Sequence, residues 1–304
     1  MGGGGPISKA CNSEIMKIIF FGTPDYVLPI LKILNKDYEI TAVVTQPPKP
    51  TGRKQFLVYS PVDTWAYKRS LASSGGKKDI TILRDLDIGK FPEADLGICA
   101  AYGKIIPEQV IKSFKFGILN IHPSLLPKYR GASPIPAAVK NGDSETGVTI
   151  IKMDEKIDHG PVVTQFKEDI LTDDTTEDLR ARLFERSAKV LSQLIPAYVA
   201  GRIKPKKQDD AQATFTRILK KEDGFIDLTT RQSPITTYNF IRAMFPWPCA
   251  WSRVKINTHT SRIKLLKAHI GENKLVLDEV QLEGKDPVSW KQFTEGYPNY
   301  NFSV

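Results

Sequence analysis

Met16-Lys17-Ile18-Ile19-Phe20-Phe21-Gly22-Thr23-Pro24-Asp25 is the stretch from which the fold can be read. Ile18 to Phe21 is an apolar run without polar alternation, which suits a strand covered on both faces, as central parallel strands are. Gly22 ends it, and Thr23-Pro24-Asp25 turns the chain. Thr23 or Asp25 can cap the helix that follows, in which Leu28, Leu31 and Leu34 recur at helical spacing. Glu39 to Thr45 is the next strand, so the chain opens β-α-β and its class is α/β with a mostly parallel sheet. The first turn has neither Gly-x-Gly-x-x-Gly nor Gly-Lys-Ser/Thr, so neither a dinucleotide nor a bound nucleoside triphosphate is expected.

The alternation continues outward. Helices are expected near Val62 to Leu71, Pro107 to Phe114 and Pro134 to Asn141, and strands at Ile80 to Leu83, Asp95 to Ala100, Ile118 to His122 and Thr146 to Met153. Leu179 to Val199 has helical spacing and closes on Gly201 as a C-terminal cap. The stretch Ala100-Ala101-Tyr102-Gly103 is small enough for something to pack against its backbone. Gln46 to Pro61 is a long Pro-rich basic loop, in which Arg53, Lys54 and Phe56 can meet a phosphate backbone and an exposed base. A solvated loop with incidental charge remains open. Past Gly201 the chain turns basic, as in a domain connection, with Lys206, Lys207, Lys220 and Lys221. A helix from Ser233 to Phe245 and alternating runs at Ala250 to Ile256, Arg262 to Ala268 and Lys274 to Leu282 then suggest a small antiparallel barrel.

Composition narrows the classes. The charge is +9, from 43 Lys and Arg against 34 Asp and Glu, with a pI near 9.3, which favours a polyanionic partner. Cys11, Cys99 and Cys249 are scattered and without Cys-x-x-Cys spacing, which fits a reducing cytosol. No apolar run approaches the roughly 20 residues that span a bilayer, so no membrane role is expected. Residues 1–15, with a tetraglycine, read as a tail ahead of a fold that begins at Met16.

Chemistry concentrates at Ile118 to Pro134. Strand alternation puts Asn120 and His122 on one face, at a strand end where ligands of open α/β sheets collect. A carboxylate near such a His orients the ring and stabilises its charge, and Asp158, one helix and one strand later, is the candidate. A parallel return of the next strand would bring the two loops together. Asn120 can offer an amide N–H to an oxygen that gains charge. With no Ser or Cys in a nucleophile context, the trio suits attack by a substrate amine on a carbonyl. From spacing alone, a structural pair capping a turn remains open. A metal site from His122, Asp158 and His159 lacks a recognised zinc spacing.

The string Asn120-Ile121-His122-Pro123-Ser124-Leu125-Leu126-Pro127-Lys128-Tyr129-Arg130-Gly131, with Gly147-Val148-Thr149 and Ile157-Asp158-x-Gly160, closely resembles the 10-formyltetrahydrofolate-dependent formyltransferases. The resemblance covers about Met16 to Pro205. It implies a Rossmann-type domain, an Asn120-His122-Asp158 catalytic trio and no metal. It also implies that 10-formyltetrahydrofolate, as formyl donor, lies against Cys99, Ala100, Ala101 and Tyr102, the Ser124, Leu125, Leu126 and Pro127 loop, and Asp158.

Phe21-Gly22-Thr23-Pro24-Asp25, Thr45-Gln46-Pro47 with Gly52-Arg53, and Phe245-Pro246-Trp247-Pro248 are similar to the branch whose acceptor is methionyl-initiator tRNA. That implies tRNA contacts at Arg53, Lys54, Lys206, Lys207 and Lys220, and a monomer in a bacterial cytoplasm. In the acceptor-arm loop Gln55 and Phe56 stand where lysines are common. The implied division is a tail (1–15), a catalytic domain (16–204), a basic linker (205–223) and an OB-like C-terminal domain (224–304). Competing readings are a formyltransferase for an amino sugar nucleotide and a noncatalytic RNA-binding protein.

Overall fold

The computed structural model describes residues 15–52, 54–72 and 79–303. Arg53 and the tail through residue 14, both subjects of sequence expectations, lie outside the described residues. The elements in order are β1 (Lys17–Gly22), α1 (Leu28–Asp37), β2 (Glu39–Val44), β3 (Lys49–Thr51), β4 (Phe56–Val58), α2 (Pro61–Leu71), β5 (Thr81–Leu83), β6 (Leu96–Ala100), α3 (Glu108–Lys112), β7 (Ile118–His122), β8 (Arg130–Gly131), α4 (Pro134–Asn141), β9 (Glu145–Lys152), β10 (Val162–Asp169) and α5 (Thr176–Val199). They continue with β11 (Phe215–Thr216), α6 (Pro234–Met244), β12 (Ala250–Ile256), β13 (His259–Gly271), β14 (Lys274–Leu282), β15 (Val288–Ser289), α7 (Trp290–Gly296) and β16 (Tyr300–Ser303).

A seven-stranded sheet runs β10-β9-β7-β6-β1-β2-β5. The strands β5, β2, β1, β6 and β7 are parallel, and their order reverses between β1 and β6, the switch point where ligands bind outside the carboxyl ends of the strands. As the apolar run implies, Ile18 to Phe21 are at most 1% exposed. Thr23 and Asp25 do not cap α1. A 3-10 turn, Asp25–Val27, comes first, and Thr23 Oγ1 donates to Tyr102 O at 3.0 Å. That bond, with Gln46 Nε2 donating to the same carbonyl at 3.1 Å, ties together the loops after β1, β2 and β6.

One expectation about direction is corrected. The strand after His122, β9, is antiparallel to β7, with His122 opposite Thr149 and Leu119 opposite Lys152. It therefore ends beside the start of β7, and the loop carrying Asp158 must fold back to reach Asn120. The antiparallel β10 then forms the sheet edge.

The Gln46 to Pro61 loop holds a hairpin, β3 against β4, where Phe56, Leu57, Val58 and Tyr59 are all about half exposed or more. The C-terminal runs form a five-stranded antiparallel sheet, β15-β14-β13-β12-β16. The helix α6 joins it to the first sheet: Thr176 Oγ1 donates to Ala243 O at 2.7 Å, and Arg242 Nη1 donates to Asp174 O at 2.9 Å. One apolar cluster runs from Ile18 through α5 and α6 to Phe293.

Phe20, a fully buried member of this cluster, tests the packing. Phe20→Ala is expected to destabilise the protein by about 3–5 kcal/mol, read from urea denaturation. A loss below about 1 kcal/mol would contradict the packed core.

Candidate active site

Asn120 and His122 project from one face of β7, as strand alternation requires. The Asp158 carboxylate meets both. Asn120 Nδ2 donates to Asp158 Oδ1 at 3.1 Å, Gly131 N–H donates to Asp158 Oδ2 at 2.8 Å, and His122 Nδ1 faces Oδ2 at 3.4 Å. The other ring nitrogen, His122 Nε2, is 2.8 Å from Tyr129 O. A carbonyl only accepts, so Nε2 carries the hydrogen and Nδ1 is left as the position that can gain or lose a proton. The His122 and Asp158 side chains are 5% and 13% exposed, so the carboxylate is the more accessible of the two.

The loop positions that make this possible are locally unusual. Asp158 has φ 47° and Tyr129 φ 60°, in the left-handed region that side chains other than glycine seldom adopt. At Tyr129 this conformation lets the carbonyl reach His122 while the N–H donates to Thr214 Oγ1 at 2.8 Å. Gly160 is required by close approach, since a Cβ there would lie 1.9 Å from Lys152 O. The Asp158 loop is thereby pressed against the end of β9.

The expected donor-binding residues fall into two groups. At the end of β6, Cys99, Ala100 and Tyr102 are buried and Ala101 alone is partly exposed, with φ 47°. Burial pushes the Cys99 thiol and the Tyr102 phenol each up to about 12. Neither is a nucleophile at neutral pH. In the second loop, Ser124 is buried and its hydroxyl donates to Lys128 O at 2.7 Å, so this side chain holds the loop. Leu126 is anchored on both sides: its N–H donates to Thr149 Oγ1 at 3.0 Å, and its carbonyl accepts from Gln165 Nε2 at 3.0 Å. Leu125 and Pro127 are partly exposed apolar groups beside them.

Of the expected tRNA contacts, Lys54 lies exposed at the hairpin turn. Lys206 is exposed, and its backbone exchanges two hydrogen bonds with Val162, at 2.7 and 2.8 Å. Lys207 is exposed, and Lys220 is exposed with its backbone N–H donating to Asp223 Oδ2 at 2.6 Å. The segment expected as a linker thus crosses the site before leaving it: β11 pairs in parallel with β8, Phe215 opposite Arg130. His159 turns from His122 toward Asp154 Oδ2 at 2.6 Å and Asp210 Oδ2 at 3.2 Å. Among the described residues no three His, Cys, Asp or Glu side chains gather as a metal site.

Sequence reasoning missed Gln208, Asp210, Thr214 and Thr216, which brace the loops. The only signal was a neutral and acidic interruption, Gln208-Asp209-Asp210, in an otherwise basic stretch.

The formyl transferase family model matches residues 16–195, and the model of the formyl transferase C-terminal domain matches residues 218–275. The methionyl-tRNA formyltransferase of Bacillus subtilis (strain 168) is 33% identical over 302 residues, covering 92% of this chain and 94% of that protein. That of Geobacillus sp. (strain WCH70) is 42% identical over 239 residues, 78% of this chain and 74% of that protein. Among solved structures, a methionyl-tRNA formyltransferase from Clostridium thermocellum superposes with a TM-score of 0.56 at 20% identity, covering 88% of this chain and 99% of that one. WlaRD, a sugar 3N-formyl transferase solved with dTDP and 5-N-formyl-THF, gives 0.62 at 22% identity, covering 86% and 88%. At such identities these two structures share the fold.

Because burial raises the Cys99 thiol to about 12, it is almost wholly protonated at about pH 8.5. Iodoacetamide at about pH 8.5 is expected to leave the Cys99 peptide unmodified in the folded protein and to alkylate it in denaturant, as read by peptide mass spectrometry. Rapid native labelling would contradict the burial.

Proposed function

The chain belongs to the formyl transferase family, and from that premise we propose that Asn120, His122 and Asp158 carry formyl transfer from 10-formyltetrahydrofolate to the amino group of methionyl-initiator tRNA. The observation that supports this most is the shared carboxylate: Asp158 holds the Asn120 amide and faces His122 Nδ1 at once.

The residues divide the work. Asn120 Nδ2 spends one hydrogen on Asp158, and its second can meet the formyl oxygen as that oxygen gains charge during attack by the amine. Such a donor is worth about 3 kcal/mol in a site sheltered from water. The Asp158 carboxylate is the base nearest the surface and accepts a proton from the attacking amine. His122, with Nε2 committed to Tyr129 O, exchanges protons through Nδ1, so the proton taken from the amine is passed on to the folate nitrogen as its bond to the formyl carbon breaks and tetrahydrofolate leaves. The folate ring system would rest on the backbone from Cys99 to Tyr102 and on Leu125, Leu126 and Pro127, with Ser124 holding that loop.

Acceptor choice is carried by surface outside the trio. The β3–β4 hairpin presents Lys54 and the exposed ring of Phe56, a cation for phosphate and a face for a base. Lys206, Lys207 and Lys220 extend a cationic track along the connecting segment. An amino sugar nucleotide is small and needs neither feature. Among the described residues no helix is long and apolar enough to cross a membrane. The same reading takes the chain as a cytoplasmic monomer that works without a metal.

With 10-formyltetrahydrofolate and methionyl-tRNA, His122→Ala and Asp158→Ala are each expected to lower kcat by about 10²–10⁴-fold while circular dichroism and thermal midpoint stay near those of the parent. Near-normal turnover by a folded His122→Ala/Asp158→Ala protein would sink the assignment. Lys206→Ala and Lys207→Ala are each expected to weaken tRNA binding and reduce the slope of log affinity against log salt by about 1. An unchanged slope would remove those lysines from the track.

A further inference from the structure

Gln208 sits between the two walls of the site. Its Nε2 donates to Asp158 O and Gly160 O, both at 2.8 Å, and its Oε1 accepts from Arg130 Nε at 3.2 Å and Nη2 at 2.9 Å. A flipped amide would set oxygen against two carbonyls and NH₂ against a guanidinium, so these partners fix its orientation. Arg130 is only 4% exposed, and the next residue, Gly131, donates its N–H to Asp158 Oδ2. One amide therefore ties the backbone of the Asp158 loop to the strand that supplies a hydrogen bond to the Asp158 carboxylate. A parallel chain of contacts supports it: Arg130 Nη2 donates to Asp210 Oδ1 at 2.6 Å, and Asp210 Oδ2 lies 3.2 Å from His159 Nε2.

We infer that Gln208 is a positioning residue for the reaction, holding the Asp158 carboxylate in register with His122 Nδ1 and Asn120. The inference rests on the formyl-transfer reading of the trio. Its physical basis is the geometry of the loop. Asp158 holds a left-handed backbone that its own chain does not favour, and the carboxylate stands 3.4 Å from Nδ1, where a small displacement alters the proton path. Gln208 is the side chain that grips the loop carbonyls on both sides of His159. It touches none of the reacting atoms, so its effect must pass through Asp158.

The test uses the full-length chain with Gln208→Ala, the isosteric Gln208→Glu, Asp158→Asn and the double variant Gln208→Glu/Asp158→Asn. Gln208→Glu keeps an acceptor for Arg130 but sets a carboxylate against two carbonyls, and it decides the matter if Gln208→Ala does not fold. The expected result is a kcat loss of about 10²-fold, the scale of a misplacement near 1 Å, for both single Gln208 variants. KM for methionyl-tRNA and for the folate is expected to stay within about threefold. The His122 titration midpoint, followed by NMR without substrate, is expected to move. In the double variant kcat is expected to match Asp158→Asn alone, because both changes act on one group. Losses that multiply in the double variant, an effect confined to KM, or an unmoved His122 midpoint with near-parental kcat would each overturn the inference. A parent protein inactive toward methionyl-tRNA would count against the function reading, while the His122 titration would still decide the positioning claim.

Discussion

The Asp158 carboxylate is where three pieces of chain distant in sequence converge, and the rest of the site depends on keeping it there. A mostly buried carboxylate must be satisfied by donors, because an unpaired charge sheltered from water is costly. Here the donors are the Asn120 amide from β7 and the Gly131 N–H from β8, with His122 Nδ1 facing the same group. None of these contacts forms unless the sheet order places β7 between β6 and β9 and the loop after β9 folds back. The apolar packing of the sheet is thus converted into the position of one charge. Gly160, lying against Lys152 O, and Gln208, bound to two loop carbonyls, hold that conversion in place.

Much of this was legible in the sequence. Ile18 to Phe21 announced a buried parallel strand, and alternation in β7 put Asn120 and His122 side by side. Asp158 does lie beside Asn120 and His122, but by a route other than the expected parallel return. A Val- and Ile-rich run says that a strand is buried, not which way it runs, and β9 runs antiparallel. The edge strand β10 shows no clear alternation because its less exposed face carries the polar Thr164 and Glu168 beside Phe166, and β16 and α7 are too short to show a period. The hairpin in the Pro-rich loop escaped notice because both of its three-residue strands lie at the surface. Gln208 was invisible for another reason. It acts through a neutral amide on backbone carbonyls, and composition read the surrounding lysines as a linker.

On the proposed reading, chemistry and acceptor choice belong to different residues of this molecule. On that reading the trio and the β6 end serve any suitable amine that reaches them. On the same reading, the exposed hairpin and the lysines between Gly201 and Gly224 favour a long polyanion over a small nucleotide. The most direct measurement is therefore a competition in one vessel, in which the protein receives 10-formyltetrahydrofolate labelled in the formyl group together with equal concentrations of methionyl-initiator tRNA and an amino sugar nucleotide. The expected result is label on the tRNA-borne methionine. Label on the sugar, or on neither acceptor, would contradict it.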